Sequence, residues 1–408
     1  MAKSIITDTS PTPVDPTLEP IRAKVVAGQR LDRDDGLRLF RTRDLFTLGE
    51  LADLVRRRLH GSRTYYVINR HINYTNYCVL RCKFCSFYRP YAAADGAADG
   101  GYEQSIAEIV SQAAEAVEHG ATEIHVVGGL HPKLPFSYYT DLCRAIKARC
   151  PAVHLKAFTA IEIVHFTRIS RPRLNVAEVL TALREAGLDS LPGGGAEIFD
   201  DRVHEEAFRN KVGAAHWFDV HRTAHELGIP SNATMLYGHI ESIEERVDHM
   251  LRLREHQDQS LARIRNCQCK TKKEGAAAAS AASSFCIHHS AFQCFVPLAF
   301  IPDGSALAHL PGPTGLDDLR TLAVSRLMLD NIPHLKSFWI MHSPKLAQVA
   351  LSWGVDDFDG TVVWYDITKR EGRGTNRQEL TVREIRRLIR EAGGRPVRRD
   401  SLYRPLSD

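Results

Sequence analysis

The chain has 408 residues, 44% hydrophobic and 25% charged, with nine cysteines and a formal net charge of +4. These are globular averages, so a disordered chain is excluded and a large core is possible, while so small a charge gives no argument for a nucleic-acid partner. The start, MAKSIITDTSPTPVDPTLEP, has neither an apolar signal core nor an Arg-rich presequence, and no apolar run approaches the roughly 18 residues of a membrane helix; the odd cysteine count then predicts reduced thiols in a cytoplasmic protein without membrane attachment.

Residues 1–15 are polar and Pro-rich and are expected to form a disordered tail. From 16 to 62 apolar residues recur at three- and four-residue steps, as in LFRTRDLFTLGELADLVRRRLH, which predicts a helical cap. From 63 to 408 β-rich runs alternate with amphipathic helices such as IAEIVSQAAEAVEHG and VAEVLTALREAG, the latter closed by a glycine. Strands are expected near 65–74, 122–128, 153–158, 188–192, 231–237, 292–298, 336–341 and 360–365. Eight such units predict an α/β fold, a (β/α)8 TIM-type barrel with an N-terminal helical extension; an open doubly wound sheet is the alternative. An Ala/Ser-rich stretch, 259–291, reads as a low-complexity insertion before the sixth strand. Its Cys267, Cys269, Cys286, His288 and His289 lack the tight paired spacing of zinc modules.

The most informative segment is NYTNYCVLRCKFC, which carries Cys78, Cys82 and Cys85 at C-x3-C-x2-C spacing. Three thiolates on one loop can bind three irons of a [4Fe-4S] cubane and leave the fourth iron open for chemistry. The competing reading is a structural zinc site, which wants four closed ligands, with His71 able to supply the last. In a barrel the loops after the strands surround the active site. The cysteine loop follows strand one, GGLHP with Gly128 and Gly129 follows strand two, and PGGGAEIF follows strand four. Paired glycines let backbone approach a ligand, and three glycines before Glu197 could turn its carboxylate inward toward a ribose hydroxyl, although a helix start with Glu in its first turn would read the same. His71, His131, His239 and His342 fall at predicted strand ends, and Asn73, Thr75, Thr234 and Tyr237 are polar residues in apolar strand contexts. Each is a candidate ligand contact or a satisfied core group.

The cysteine pattern, with Phe84 before its last cysteine, resembles that of the radical S-adenosyl-L-methionine (SAM) enzymes. From about 31 to 406, apart from the insertion, the sequence is similar to the aminodeoxyfutalosine synthases of the futalosine route to menaquinone. The likeness rests on NRHINYTNYCVLRCKFCSFYR, VVGGLHP, LPGGGAEIF, WFDVHRTAHELGIPSNATMLYGHIES, FVPLAF and DDFDGTVV. The cyclic dehypoxanthine futalosine synthases and the radical SAM subunits of deazaflavin synthesis share much of it. Departures are the insertion and AAADGAADGG after the cysteine loop. The resemblance implies a [4Fe-4S] cluster on Cys78, Cys82 and Cys85, SAM as co-substrate near Phe84, Gly128, Gly129 and Glu197, and an electron donor such as flavodoxin or ferredoxin. It further implies addition of the 5'-deoxyadenosyl radical to 3-[(1-carboxyvinyl)oxy]benzoate, giving 6-amino-6-deoxyfutalosine. The dicarboxylate would be met by donors among His71, Asn73, His131, Arg168, Thr234, Tyr237, His239 and His342. A metal-binding scaffold barrel without activity is the non-enzyme alternative.

Overall fold

The computed structural model describes residues 15–91, 100–273, 290–362 and 379–407, of which 268–273 as backbone only. The tail at 1–14 and the Ala/Gly-rich run at 92–99 lie outside the described residues.

Three helices open the chain: α1 (Glu19–Val26), α2 (Arg33–Arg41) and α3 (Leu45–His60). Asp32 and Asp44 cap α2 and α3, accepting hydrogen bonds from Asp35 N and Thr47 N and so meeting orphan first-turn donors. Strand one follows in two consecutive pieces, β1 (Arg63–Val67) and β2 (Asn69–Ile72). Then come α4 (Ile106–Glu118), β3 (Glu123–Val126), α5 (Phe136–Arg149), β4 (His154–Ala157), α6 (Ala160–Ile169) and α7 (Val176–Glu185).

The β4 edge continues to Ser190 through a parallel bridge from Lys156, and Leu191 bridges in turn to Ser231 at the start of β5 (Ser231–Tyr237). Before β5 stand α8 (Asp201–Phe208) and α9 (Ala214–Glu226), and after it α10 (Ile243–Lys273) leads to β6 (Phe292–Ala299). The remaining elements are α11 (Gly315–Met328), β7 (His334–Leu335), α12 (Trp339–Ala350), β8 (Asp357–Gly360), α13 (Val382–Glu391) and β9 (Arg395–Arg398).

Every ladder is parallel: β2 to β3, β3 to β4, β5 to β6, β6 to β7, and β8 back to β1. With the single bridges at 190, 191 and between Lys336 and Asp357, eight staves close on themselves, so the structure is a (β/α)8 barrel and not an open sheet. β9 pairs with the first half of strand one, a place the β3 ladder leaves free because it takes only the second half.

Two strands sit elsewhere than the sequence suggests. The run at 336–341 is not strand seven; β7 ends at Leu335 and Trp339 begins a helix. Strand eight is DFDG at Asp357–Gly360, ahead of the apolar run at 360–365. Residues 259–273 of the expected insertion are helical as the end of α10; 274–289 lie outside the described residues. Gln257 ties α10 to the start of β6, accepting from Phe292 N at 2.9 Å and donating to its carbonyl at 2.9 Å.

Candidate functional site

A cavity of about 320 Å³ runs down the barrel from the C-terminal ends of the strands. Its mouth is lined by the cysteine loop and the glycine-rich strand ends, its middle by Val127, Leu236, Val296, Leu298 and Phe338, and its closed end by charged and amide side chains. The arrangement follows from strand alternation, which turns every second residue inward.

The cysteine loop is held to the barrel by backbone. Cys78 N–H donates to Arg89 O at 3.0 Å, Val79 N–H to Leu130 O at 3.2 Å and Lys83 N–H to Ala207 O at 2.9 Å. Cys78, Cys82 and Cys85 all line the mouth. Burial pushes the Cys82 thiol up to about 12 and raises Cys85 as well, so both hold their protons at neutral pH until a metal displaces them. The three sulfurs are not among the groups whose ligand atoms converge within 4.8 Å. Thiolates on one tetrahedral zinc, each with a Zn–S bond of about 2.3 Å, would have to converge so. Ligands to separate irons of a cubane need not, and the loop fits the cluster.

Strand two ends in the glycine pair. A Cβ on Gly129 would stand 2.2 Å from Tyr77 O and 3.0 Å from Cys78 Cβ; one on Gly128 would meet the Tyr74 ring at 2.7 Å. The pair is therefore required for seating the cysteine loop on the strand end, besides lining the cavity. Glu162, the third residue of α6, accepts from Thr159 N at 2.7 Å in a capping box and with its other oxygen from Tyr74 OH at 2.8 Å and Gly128 N at 3.2 Å. Burial raises it to about 7.

Glu197 does not start a helix. It sits buried with a φ of 39° before α8, in the left-handed region that non-glycine residues rarely occupy. Its Oε1 accepts from Lys211 Nζ at 2.5 Å, and Oε2 is buried at the cavity wall without a partner among the described residues. Burial alone would lower the Lys211 pKa, but Glu197 and the thiols of Cys82 and Cys85 outweigh it and hold it above the ordinary value. The same ammonium lies 5.2 Å from the centre of the Phe84 ring. A fixed positive charge thus stands beside the thiols.

The closed end holds residues the sequence reading missed: Asn69, Glu123, His125, Lys156, Lys336 and Asp359. Lys156 Nζ donates to Glu123 Oε2 at 2.7 Å and Lys336 Nζ to Asp359 Oδ1 at 2.5 Å. His71 and His125 lie beside them with ring centres 4.3 Å apart and planes tilted by 36°, and burial lowers both, His71 to about 4, so both are neutral. The available signal was charge inside strands: EIHV, HLKA and DFDG each place an ionisable residue where a barrel strand points inward.

Of the residues expected to meet substrate, His71 and Thr234 line the cavity, Thr234 donating to Gly193 O at 2.7 Å. The others do not. Asn73 Nδ2 donates to Val127 O at 3.0 Å, and His131 Nδ1 accepts from Lys133 N and Leu134 N at 3.1 Å while Nε2 faces Glu103 at 2.9 Å. Tyr237 OH donates to Asp318 Oδ1 at 2.7 Å and lies 2.9 Å from His342 Nε2, whose ring also meets Ser337 Oγ. His239 is engaged with Leu236 O and Glu241. Arg168 is exposed in the last turn of α6, and that turn lies at the opposite barrel end because helices run back antiparallel to the strands. No helix among the described residues is long and apolar enough to cross a membrane.

Comparison with known proteins agrees with this geometry. Residues 72–253 match the family model of the radical SAM superfamily, and 289–408 match the CofH/MqnC C-terminal region. An aminodeoxyfutalosine synthase of Thermus thermophilus is 49% identical over 96% of this chain and 96% of its own. One from Streptomyces coelicolor is 40% identical over 95% of this chain and 94% of its own. Among solved structures, a methylornithine synthase superposes with a TM-score of 0.64 at 16% identity, covering 93% of this chain and 97% of its own, a likeness of fold.

Proposed function

Since the chain belongs to the radical SAM superfamily and, within it, to the aminodeoxyfutalosine synthases, we propose that it adds the 5' carbon of SAM to the enol-ether double bond of 3-[(1-carboxyvinyl)oxy]benzoate. The adduct radical then rearranges and loses one carboxylate as carbon dioxide or bicarbonate, giving 6-amino-6-deoxyfutalosine with methionine released. When bound and reduced by a donor such as flavodoxin or ferredoxin, the [4Fe-4S] cluster would supply the electron that splits SAM into methionine and the 5'-deoxyadenosyl radical.

The observation that carries this reading is that Cys78, Cys82 and Cys85 share one loop over the mouth of a deep cavity. Those three residues would hold the cluster, and Lys211 would offset its negative charge at short range. The unpartnered Glu197 Oε2 would accept from a SAM hydroxyl, with Gly128 and Gly129 leaving room for the methionyl end and Phe84 beside the adenine. Below them the apolar wall of Val127, Leu236, Val296 and Leu298 would exclude water and keep the acceptor alkene nearer the radical than any competing C–H bond.

The test is anaerobic incubation of reconstituted, reduced protein with SAM and the enol ether, followed by mass analysis. A product with the 5' carbon of the adenosyl group bonded to a carbon of the former vinyl group is expected. Free 5'-deoxyadenosine as the acceptor-dependent product would instead indicate hydrogen abstraction, and colourless zinc-loaded protein a scaffold. Cys82→Ala should abolish turnover with the barrel intact, since it removes a single sulfur atom at the cavity mouth.

A further inference from the structure

The ion pairs at the closed end of the cavity leave donors over. A lysine ammonium has three N–H donors. Among the described residues Lys156 shows one acceptor, Glu123, and Lys336 one, Asp359. Asn69 adds another: its backbone is paired with Thr361, its Oδ1 accepts from Val362 N at 2.8 Å, and its Nδ2, buried in a residue 1% exposed, has no partner among the described residues. A Cβ on Gly360, next to Asp359, would stand 2.3 Å from Asn69 Oδ1, so the amide and the Lys336–Asp359 pair share one corner. Asp359 itself has a φ of 72°, a strained conformation for a non-glycine residue, held where its Oδ1 fixes Lys336. Buried donors without acceptors cost stability unless a ligand meets them, and carboxylates are met by such charge-assisted bonds.

We propose that Asn69 Nδ2 and the spare N–H groups of Lys336 and Lys156 form an aryl-carboxylate subsite at the closed end of the barrel, which orients the acceptor with its benzoate down and its vinyl group up toward the cysteine loop. This rests on the substrate class proposed above and adds the direction in which that substrate enters. The apolar wall between the two ends takes the aromatic ring. His71 and His125, neutral and lining the same cavity, present no second cation, so Lys336 and Lys156 carry the charge recognition.

The test uses binding, independent of turnover. The reconstituted, SAM-loaded protein is titrated by calorimetry with 3-methoxybenzoate and with 3-methoxybenzamide, which differ only in the group that reaches the closed end. The wild type is expected to bind the benzoate at least tenfold more tightly. Asn69→Asp keeps the acceptor for Val362 N but puts a carboxylate where the donor stood, and should bring the ratio to about one or below. The paired variant Lys336→Met with Asp359→Leu, which removes the ion pair without stranding a charge, should do the same. A purely structural role would weaken both ligands equally and keep the ratio. Equal affinities in the wild type, an unchanged ratio in both variants, or no benzoate binding at millimolar concentration overturns the subsite. Enol-ether turnover is scored separately: adduct without discrimination removes the subsite alone, and discrimination without adduct removes the reaction alone.

Discussion

Gly129→Ala separates the seating of the cysteine loop from the folding of the barrel. A carbon–oxygen contact relaxes at about 3.3 Å, so the 2.2 Å between the new Cβ and Tyr77 O demands roughly 1 Å of separation. Gly129 follows β3 of the closed barrel by three residues and is tied by its N–H to Thr75 O, whereas Tyr77 belongs to the cysteine loop, and the loop yields. Overpacking of this kind costs about 1–3 kcal/mol, within the roughly 5–15 kcal/mol that holds a domain together. Metal ligands, by contrast, tolerate displacements of only about 0.2 Å. The expected result of anaerobic iron and sulfide loading is a variant with native circular dichroism, a melting temperature lowered by a few degrees, and iron bound at well under half the wild-type stoichiometry. Gly194→Ala is the control: it also lines the cavity, but its Cβ would meet only the Thr159 methyl at 3.0 Å. Gly129→Ala loading iron like the wild type, or unfolding outright, would refute the reasoning.

Three further outcomes follow from the same geometry. Glu197→Gln should raise KM for SAM roughly tenfold or more, the worth of a hydrogen bond to a charged group, while KM for the acceptor stays put; equal changes in both would remove Glu197 from the SAM end. Tyr237→Phe strands Asp318 and His342 away from the cavity and should cost about 1–3 kcal/mol in urea unfolding, with kcat per folded molecule unchanged. Burial raises Glu162 from 4.5 to about 7 in the folded state, so its contribution is full below pH 4.5 and lost as pH rises through 7. Cluster-free wild type should accordingly lose roughly 3 kcal/mol relative to Glu162→Gln between pH 4.5 and 7.5; parallel pH curves would contradict that.

The barrel was legible because most strands and helices keep clean periods, and the cysteine loop because its spacing is local. Other features were not. The run around Phe338 and Trp339 has the aromatic, β-branched look of a strand, yet a short apolar run reads equally as a helix start. Strand eight was hidden by its acids: DFDG looks like a turn until Asp357 is seen paired to Arg399 and Asp359 to Lys336. The same cause concealed the closed end of the cavity, where Lys156 meets Glu123 across 33 positions of sequence. Such pairs carry no local pattern. The rim histidines misled in the opposite sense, since His131, His239 and His342 are consumed by nearby backbone and side-chain partners.

The position of β9 bears on how the molecule is made. Among the described residues, 63–66 find ladder partners on one side in Asp357–Gly360 and on the other in Arg395–Arg398. Pairings that span more than three hundred residues of sequence form late and slowly. Strand one must therefore wait, unpaired along its first half, through most of translation: β8 lets the ring shut, and β9, ending at residue 398, covers the edge that is left. A nascent chain stalled before that point should expose this edge to chaperones, and one released after it should not.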